Sequence, residues 1–253
     1  MKPVNRIILL TLVAINSIQM RAYHNISPYT WCGGNPIKFV DPDGTDIKIN
    51  GAKTNIQMVV TQVQNHLPAT SLYFVNGNLF YTEKVGVFPS PNDLRIRQAI
   101  DNHLIVATIN VTSGFYNSKG GFLIGGAYMG TQLLEDKTGN KIAVSNQEIN
   151  PNILKSIDNI HGVPVGTNTL HEFTECIEGA SLSLQSGMPS ASGGQPDSNY
   201  ENAHNVATPQ SGIINETFYD KNGVETKNPN ETARVEYWSV DSSGNIHIFL
   251  TFP

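Results

Sequence analysis

Charge is scarce in this chain, and cysteine is scarcer still. Only 15% of the residues are charged, and the net charge is −5. There is no block of Lys and Arg and no interleaving of basic with aromatic residues, so nothing marks nucleic acid as a partner. Two cysteines, Cys32 and Cys176, lie far apart, and neither has a CxxC companion. That gives no indication of a disulfide framework and argues against a cysteine-built metal site. A GxSxG elbow is missing, and Cys176 has no evident base beside it, so a Ser or Cys nucleophile is unsupported. No internal repeat occurs. The longest apolar run near the N-terminus, Ile7 to Ile15, is too short to span a bilayer.

What is present points to a loop-rich globular domain. Glycine is abundant (22 residues), with many Asn and Ser, while 39% apolar residues suffice for a core. A length of 253 residues accommodates one sizeable domain with an appendage. Two readings stand for residues 1–22. Lys2 and Arg6 ahead of the apolar run have the form of a signal peptide, which would make the protein secreted or periplasmic, with the membrane engaged only through that segment. Against this, Arg21 and Met20 before Ala22 give no clear small-x-small cleavage site, and the segment also reads as a piece of a longer ancestral chain.

Residues 23–44 read as a linker closed by Pro-Asp-Gly turn chemistry. Downstream, Asp46–Asn50 has the look of a short strand. Apolar residues at 56, 59, 60, 63 and 67 repeat with helical spacing over 55–67. Residues 71–75 and 79–83 flank Asn76-Gly77-Asn78, a hairpin signal. Ser90-Pro91 opens a helix to about His103, with Leu94, Ile96, Ala99 and Ile100 inward. Leu104–Thr112 is β-branched and reads as a strand. Residues 121–134 are assigned to strand or loop near the core, and 141–145 to another strand.

The strongest helix covers residues 166–186. Leu170, Phe173, Thr174, Ile177, Ala180, Leu182 and Leu184 occupy much of its circumference, which makes it a buried helix. A Gly/Ser/Pro-rich loop follows, then a short helix over 199–207 ended by Thr208-Pro209. Residues 233–240 and 246–252 flank a Ser-Ser-Gly-Asn turn and form a C-terminal hairpin.

The central helix carries "HEFTE", His171-Glu172-x-x-Glu175, one residue away from the HExxH metal motif. At about 100° per residue, His171 and Glu175 share one face and can hold one ion. Glu172 occupies the place where HExxH enzymes carry the general base. The third ligand must come from elsewhere, and His204 in "YENAHN" is the best candidate. Two His and one carboxylate form a donor set used by catalytic zinc sites. The bland reading is an ordinary acidic helix turn. Against it, unpaired carboxylates on a helix this apolar are costly to bury. Tyr200 is a candidate oxyanion donor or a packing residue, Glu178 a further ligand or a solvated charge, and Glu201 an outer partner. Glu201-x-x-His204 together with Glu175 leaves a carboxylate di-metal arrangement as a minor alternative. His161, before the helix, reads as a loop histidine that could line the cleft. Leu104–Thr112 or Gly121–Tyr128 could provide a sheet edge for an extended peptide.

Two resemblances add to this. Ser27-Pro28-Tyr29, Asn35-Pro36-Ile37 and Asp41-Pro42-Asp43-Gly44 occur in the order found at the end of RHS-repeat-associated core domains. The resemblance covers about twenty residues and lacks the repeat shell. It implies that residues 23–44 are a remnant of that core and 45–253 a variable C-terminal domain, often a toxin, in a bacterial setting with an immunity protein as partner. The HExxE helix, loop and Tyr-x-x-Ala-His segment over about 165–207 also resembles the zincin-like metallopeptidase domains found behind such cores. That resemblance implies His171, Glu175 and His204 as ligands of one Zn2+ per chain and Glu172 as base. A carboxylate in place of the second histidine departs from HExxH.

The expectation is therefore an α+β, zincin-like domain: a central active-site helix, a mixed or antiparallel sheet and a C-terminal β-hairpin. Its expected activity is zinc-dependent hydrolysis of peptide bonds in a peptide or protein substrate by metal-activated water. The alternative is a non-catalytic metal-binding or protein-interaction module on a degenerate zincin fold, in which a fourth ligand such as Glu178 or Glu201 closes the site.

Overall fold

The computed structural model describes residues 47–135, 139–228 and 231–253, all within one unit running from Thr45 to Pro253. The expectations for residues 1–22 and 23–44 lie outside the described residues. The fold is α+β. Its elements run β1 (Ile47–Asn50), α1 (Lys53–Gln64), β2 (Thr70–Val75), β3 (Asn78–Glu83), α2 (Pro91–Asp101), β4 (Ile105–Val111), β5 (Gly126–Glu135), β6 (Lys141–Ile149), α3 (Pro151–His161), α4 (Thr167–Ser186), α5 (Tyr200–Val206), β7 (Asn215–Tyr219), β8 (Arg234–Val240) and β9 (Ile246–Phe252). Among the described residues no helix is long and apolar enough to cross a membrane.

Six strands form a mixed sheet in the order β2-β3-β1-β4-β6-β5. The central pairs β1–β4 and β4–β6 are parallel, while β3 and β5 run antiparallel to their neighbours. Local chemistry explains the ends. Asn76 and Gly77 both take positive φ, 50° and 92°, which is the two-residue hairpin turn whose twist suits antiparallel strands. Ser90 caps α2 and receives the Asp93 N–H, while the Asp93 carboxylate accepts the Ser90 N–H. This reciprocal box, with Pro91 at the first helical position, is worth about 1 kcal/mol. Ile96, Ala99 and Ile100 of α2 are buried, but Leu94 is exposed, contrary to the inward placement expected of it. Two residues before Ile96, it lies about 200° round the helix from it, on the opposite, solvent-facing side.

Strand β4 lies between β1 and β6, so the stretch expected as a candidate sheet edge is interior. Its near-continuous Ile-Val-Ala-Thr-Ile-Asn-Val run is the pattern of a strand covered on both faces. The edges are β2 and β5, and β5 begins only at Gly126.

Helix α4 lies against β4, β5 and β6. Leu170, Phe173, Cys176 and Ile177 join Ile47, Ile49, Ile109 and Ile149 of the sheet and Ile56, Val59 and Val63 of α1 in the main core. Each such side chain contributes roughly 1.5–3 kcal/mol when fully buried. Leu182 and Leu184 are only half-buried, Leu184 packing against Ile105 and Ala143 of the sheet, and Ser183 is buried instead. The N-terminus of α4 has no cap of its own at Gly166. Asp158 of α3 supplies one: its buried carboxylate accepts the N–H groups of Gly166 (2.7 Å) and Asn168 (3.1 Å) and the Asn168 side-chain amide (2.7 Å). An anion at a helix N-terminus also complements the helix dipole.

Helix α3 and strand β7 have no counterpart in the sequence reading. Asn150 caps α3, with Pro151 first and Gly162 closing it in the left-handed conformation. His161 therefore ends a helix and is not a loop residue. Its ring nitrogens bond Ser211 Oγ (3.0 Å) and Ser239 Oγ (2.6 Å), joining α3 to the second sheet away from the cleft. That sheet, β7-β8-β9, contains the expected C-terminal hairpin with β7 added, and packs Val235, Tyr237 and Phe252 against Ile153 and Ile157 of α3.

Candidate metal centre

Helix periodicity places His171 and Glu175 on one face of α4, both 2% exposed. His204 arrives from α5. That helix is short, but Ala203 is fully buried, α5 packs against α4, and the Tyr200 ring lies 5.5 Å from the His204 ring. Three atoms converge. His204 Nδ1 lies 3.1 Å from His171 Nε2 and 2.9 Å from Glu175 Oε1, and the last two are 3.7 Å apart. Metal–ligand bonds of about 2.0–2.1 Å in a tetrahedral site separate ligand atoms by about 3.3 Å. The three separations bracket that value, so the buried His171–Glu175–His204 cluster can hold a metal ion.

The tautomer of His171 suits this role. Its Nδ1 lies 2.6 Å from the Thr208 carbonyl oxygen, which can only accept, so Nδ1 carries the proton. Burial lowers the His171 pKa to about 4, so the ring is neutral and Nε2 presents a lone pair to the cluster. The carbonyl is fixed because Thr208 N–H donates to Thr174 Oγ1 (2.9 Å), one turn along α4 from His171. This is the outer-partner arrangement that commonly orients a metal-binding histidine.

Glu172 lies 7% exposed beside the cluster. Burial and the neighbouring Glu175 push its carboxyl well above the ordinary range. Burial also raises Glu175, against the opposing pull of hydrogen bonds from His204 and Gln147. Gln147 Nε2 donates to both carboxylates, to Glu172 Oε2 and, at 2.9 Å, to Glu175 Oε2. Gln147 sits on β6 with no exposure. The sequence reading missed it. Its signal was polarity on an inward strand face, since Ala143, Ser145, Gln147 and Ile149 alternate on the buried side.

Glu172 and Glu175 line a cleft of about 460 Å³. Gly126, Ala127 and Tyr128 of β5 form one side, and Ser192, Gly193 and Tyr200 another. Tyr200 keeps its proton, with a pKa raised to about 12 by burial and by the two carboxylates, so its phenol is a donor. Two of the outer candidates lie elsewhere. Glu178 faces Arg95 of α2, with Nε–Oε1 at 3.6 Å, and Glu201 is exposed on α5. Neither belongs to the three-residue cluster. Helical angle could not separate Glu178 from Glu175, because the cation that draws it off is on another helix.

No family model, curated protein or solved structure matches the chain.

Proposed function

We propose that residues 45–253 form a zincin-like domain that hydrolyses peptide bonds with one zinc ion held by His171, Glu175 and His204. The observation that carries this reading is a three-donor cluster with an unligated glutamate beside it, opening on a cleft at a sheet edge. Two histidines and a carboxylate suit zinc, and three protein ligands are the number used by catalytic sites rather than closed structural ones. Glu178 and Glu201, the residues that could have closed the site, are directed elsewhere, which disfavours the non-catalytic module.

Bound zinc supplies a Lewis acid and brings the pKa of water down toward about 7. The chain's own groups supply the rest. Glu172 takes a proton at its carboxylate and returns it to the leaving amine. Gln147 holds that carboxylate beside Glu175. Tyr200 offers a phenolic O–H to oxygen charge developing on the scissile carbonyl. The β5 edge at Gly126 and Ala127 offers backbone to an extended peptide. The RHS-core resemblance of residues 23–44 supports placing the domain in a bacterial effector or toxin, with an immunity protein as partner.

The test uses zinc-loaded protein and unfolded casein. Glu172→Gln should abolish cleavage and keep the metal, whereas His171→Ala should lose both. Zinc-loaded wild type that cleaves no unfolded protein would sink the peptidase reading and favour a binding module.

A further inference from the structure

The cleft contains one cation that the proposed chemistry does not use. Lys119 lines it, and the other charged residues of the lining are Glu172 and Glu175. Those two carboxylates are occupied by Gln147 and His204. Lys119 Nζ instead donates to the neutral Ser192 Oγ, at 3.0 Å. None of the ion pairs formed among the described residues involves Lys119. An ammonium has three N–H donors, so two remain for another acceptor.

The backbone carrying Lys119 is held firmly. It sits at the tip of a small hairpin closed by Tyr116 pairing with Phe122. Asn117 Oδ1 accepts the N–H groups of Lys119 (3.0 Å) and Gly121 (2.9 Å), which fixes the turn. Buried Glu148, next to Gln147 on β6, accepts both the N–H and the hydroxyl of Ser118. At its base the Phe122 ring packs 4.2 Å from that of Phe252. The turn is thus anchored both to the strand that positions the carboxylates and to the second sheet. With the backbone fixed, only the side chain remains to be ordered when it meets an anion.

We infer that Lys119 receives a carboxylate of the bound peptide, so that the site selects substrates bearing an acidic side chain or a free C-terminus near the reacting bond. The inference rests on the reading of this cleft as a peptide site. It names the substrate chemistry of that site, which the metal cluster alone leaves open.

The test reads binding and needs no turnover. Zinc-loaded Glu172→Gln protein is titrated calorimetrically with three pentapeptides. One is acetyl-pentaalanine amide, which is uncharged. The second is acetyl-pentaalanine with a free C-terminus. The third carries glutamate at its centre with both ends blocked. One of the two charged peptides should bind roughly fivefold tighter than the uncharged one, at the upper end for a single exposed ion pair, and its identity gives the source of the carboxylate. In Glu172→Gln/Lys119→Met protein that ratio should fall to about one. Equal binding of all three, a preference that survives Lys119→Met, or no binding of any peptide overturns the inference. Selective binding by a protein whose wild type cleaves no casein would instead overturn the peptidase reading and leave the carboxylate site standing.

Discussion

Gly126 has no functional group, yet replacing it should nearly silence the proposed peptidase activity. A Cβ built on Gly126 would lie 1.9 Å from Glu172 Oε2, 2.0 Å from its Cδ and 2.5 Å from Oε1. Ordinary contacts begin near 3.4 Å. In Gly126→Ala the carboxyl must therefore move by roughly 1.5 Å, and a misplacement of about 1 Å can cost on the order of 100-fold in rate. The backbone itself tolerates alanine, because Gly126 is not among the residues of positive φ. In a strand, alanine gains roughly 0.5–1 kcal/mol over glycine, which offsets part of the strain. The three heavy atoms nearest the new methyl all belong to Glu172. The expected result is a fall in kcat of about 100-fold or more, with metal content unchanged and thermal stability within about 2 kcal/mol of wild type. The assay pairs peptide turnover with elemental mass spectrometry on the same preparation. Full kcat in Gly126→Ala would refute the argument that Glu172 must occupy its observed position.

Three further outcomes follow from the same structure. Metal-free Glu172→Gln should be more stable than metal-free wild type, and increasingly so as pH rises. The folded pKa of Glu172 is raised, so the wild type has its full stability below about pH 4.5 and loses it as pH climbs through the raised folded value. Paired thermal melts between pH 4 and pH 8 check this at ~2–4 °C per kcal/mol for a domain of this size. A gap that shrinks with rising pH contradicts it. Phe173→Ala removes the largest fully buried side chain among the described residues and should cost about 3–5 kcal/mol by urea unfolding, with a loss under 1 kcal/mol arguing against close packing of α4 on the sheet. Asp93 behaves oppositely to Glu172. Burial pushes its carboxyl up, but bonds from Ser90, Thr70 and Ala69 outweigh this and hold it below the usual 3.8. Its contribution is complete above about pH 3.8 and lost as pH falls through the lowered folded value. Asp93→Asn should therefore cost about 1 kcal/mol at pH 7 and progressively less below pH 4, measured by urea unfolding at each pH.

The sequence discloses most where a local rule and the tertiary structure agree. Ser90-Pro91 with Asp93 is a complete helix start, and Asn76-Gly77 a complete hairpin turn. Helix α4 announces itself by apolar residues around its circumference, and its polar residues stand out for that reason. The cluster is legible in part because a four-residue spacing is local, while His204 follows only one loop later. The missing parts are non-local or chemically quiet. Helix α3 carries a cap signal, Asn150-Pro151, and apolar residues at 153, 154, 157 and 160, yet its eleven residues sit between longer patterns. Strand β7 is half-buried except at exposed Glu216 and shows no strong alternation. Gln147, the Thr208 carbonyl and the bare backbone of Gly126 reach the site from a strand, a helix end and a sheet edge. No spacing rule links them to residues 171–175.

The most direct test of the account is metal per chain in purified protein supplied with zinc, measured by elemental mass spectrometry on wild type, His171→Ala and Glu175→Ala. The expected result is about one zinc in the wild type and a loss in each variant, with circular dichroism showing that both remain folded. A wild type that binds no metal, or variants that keep it, would contradict the assignment of His171, Glu175 and His204 as ligands and leave HEFTE as one turn of a buried structural helix.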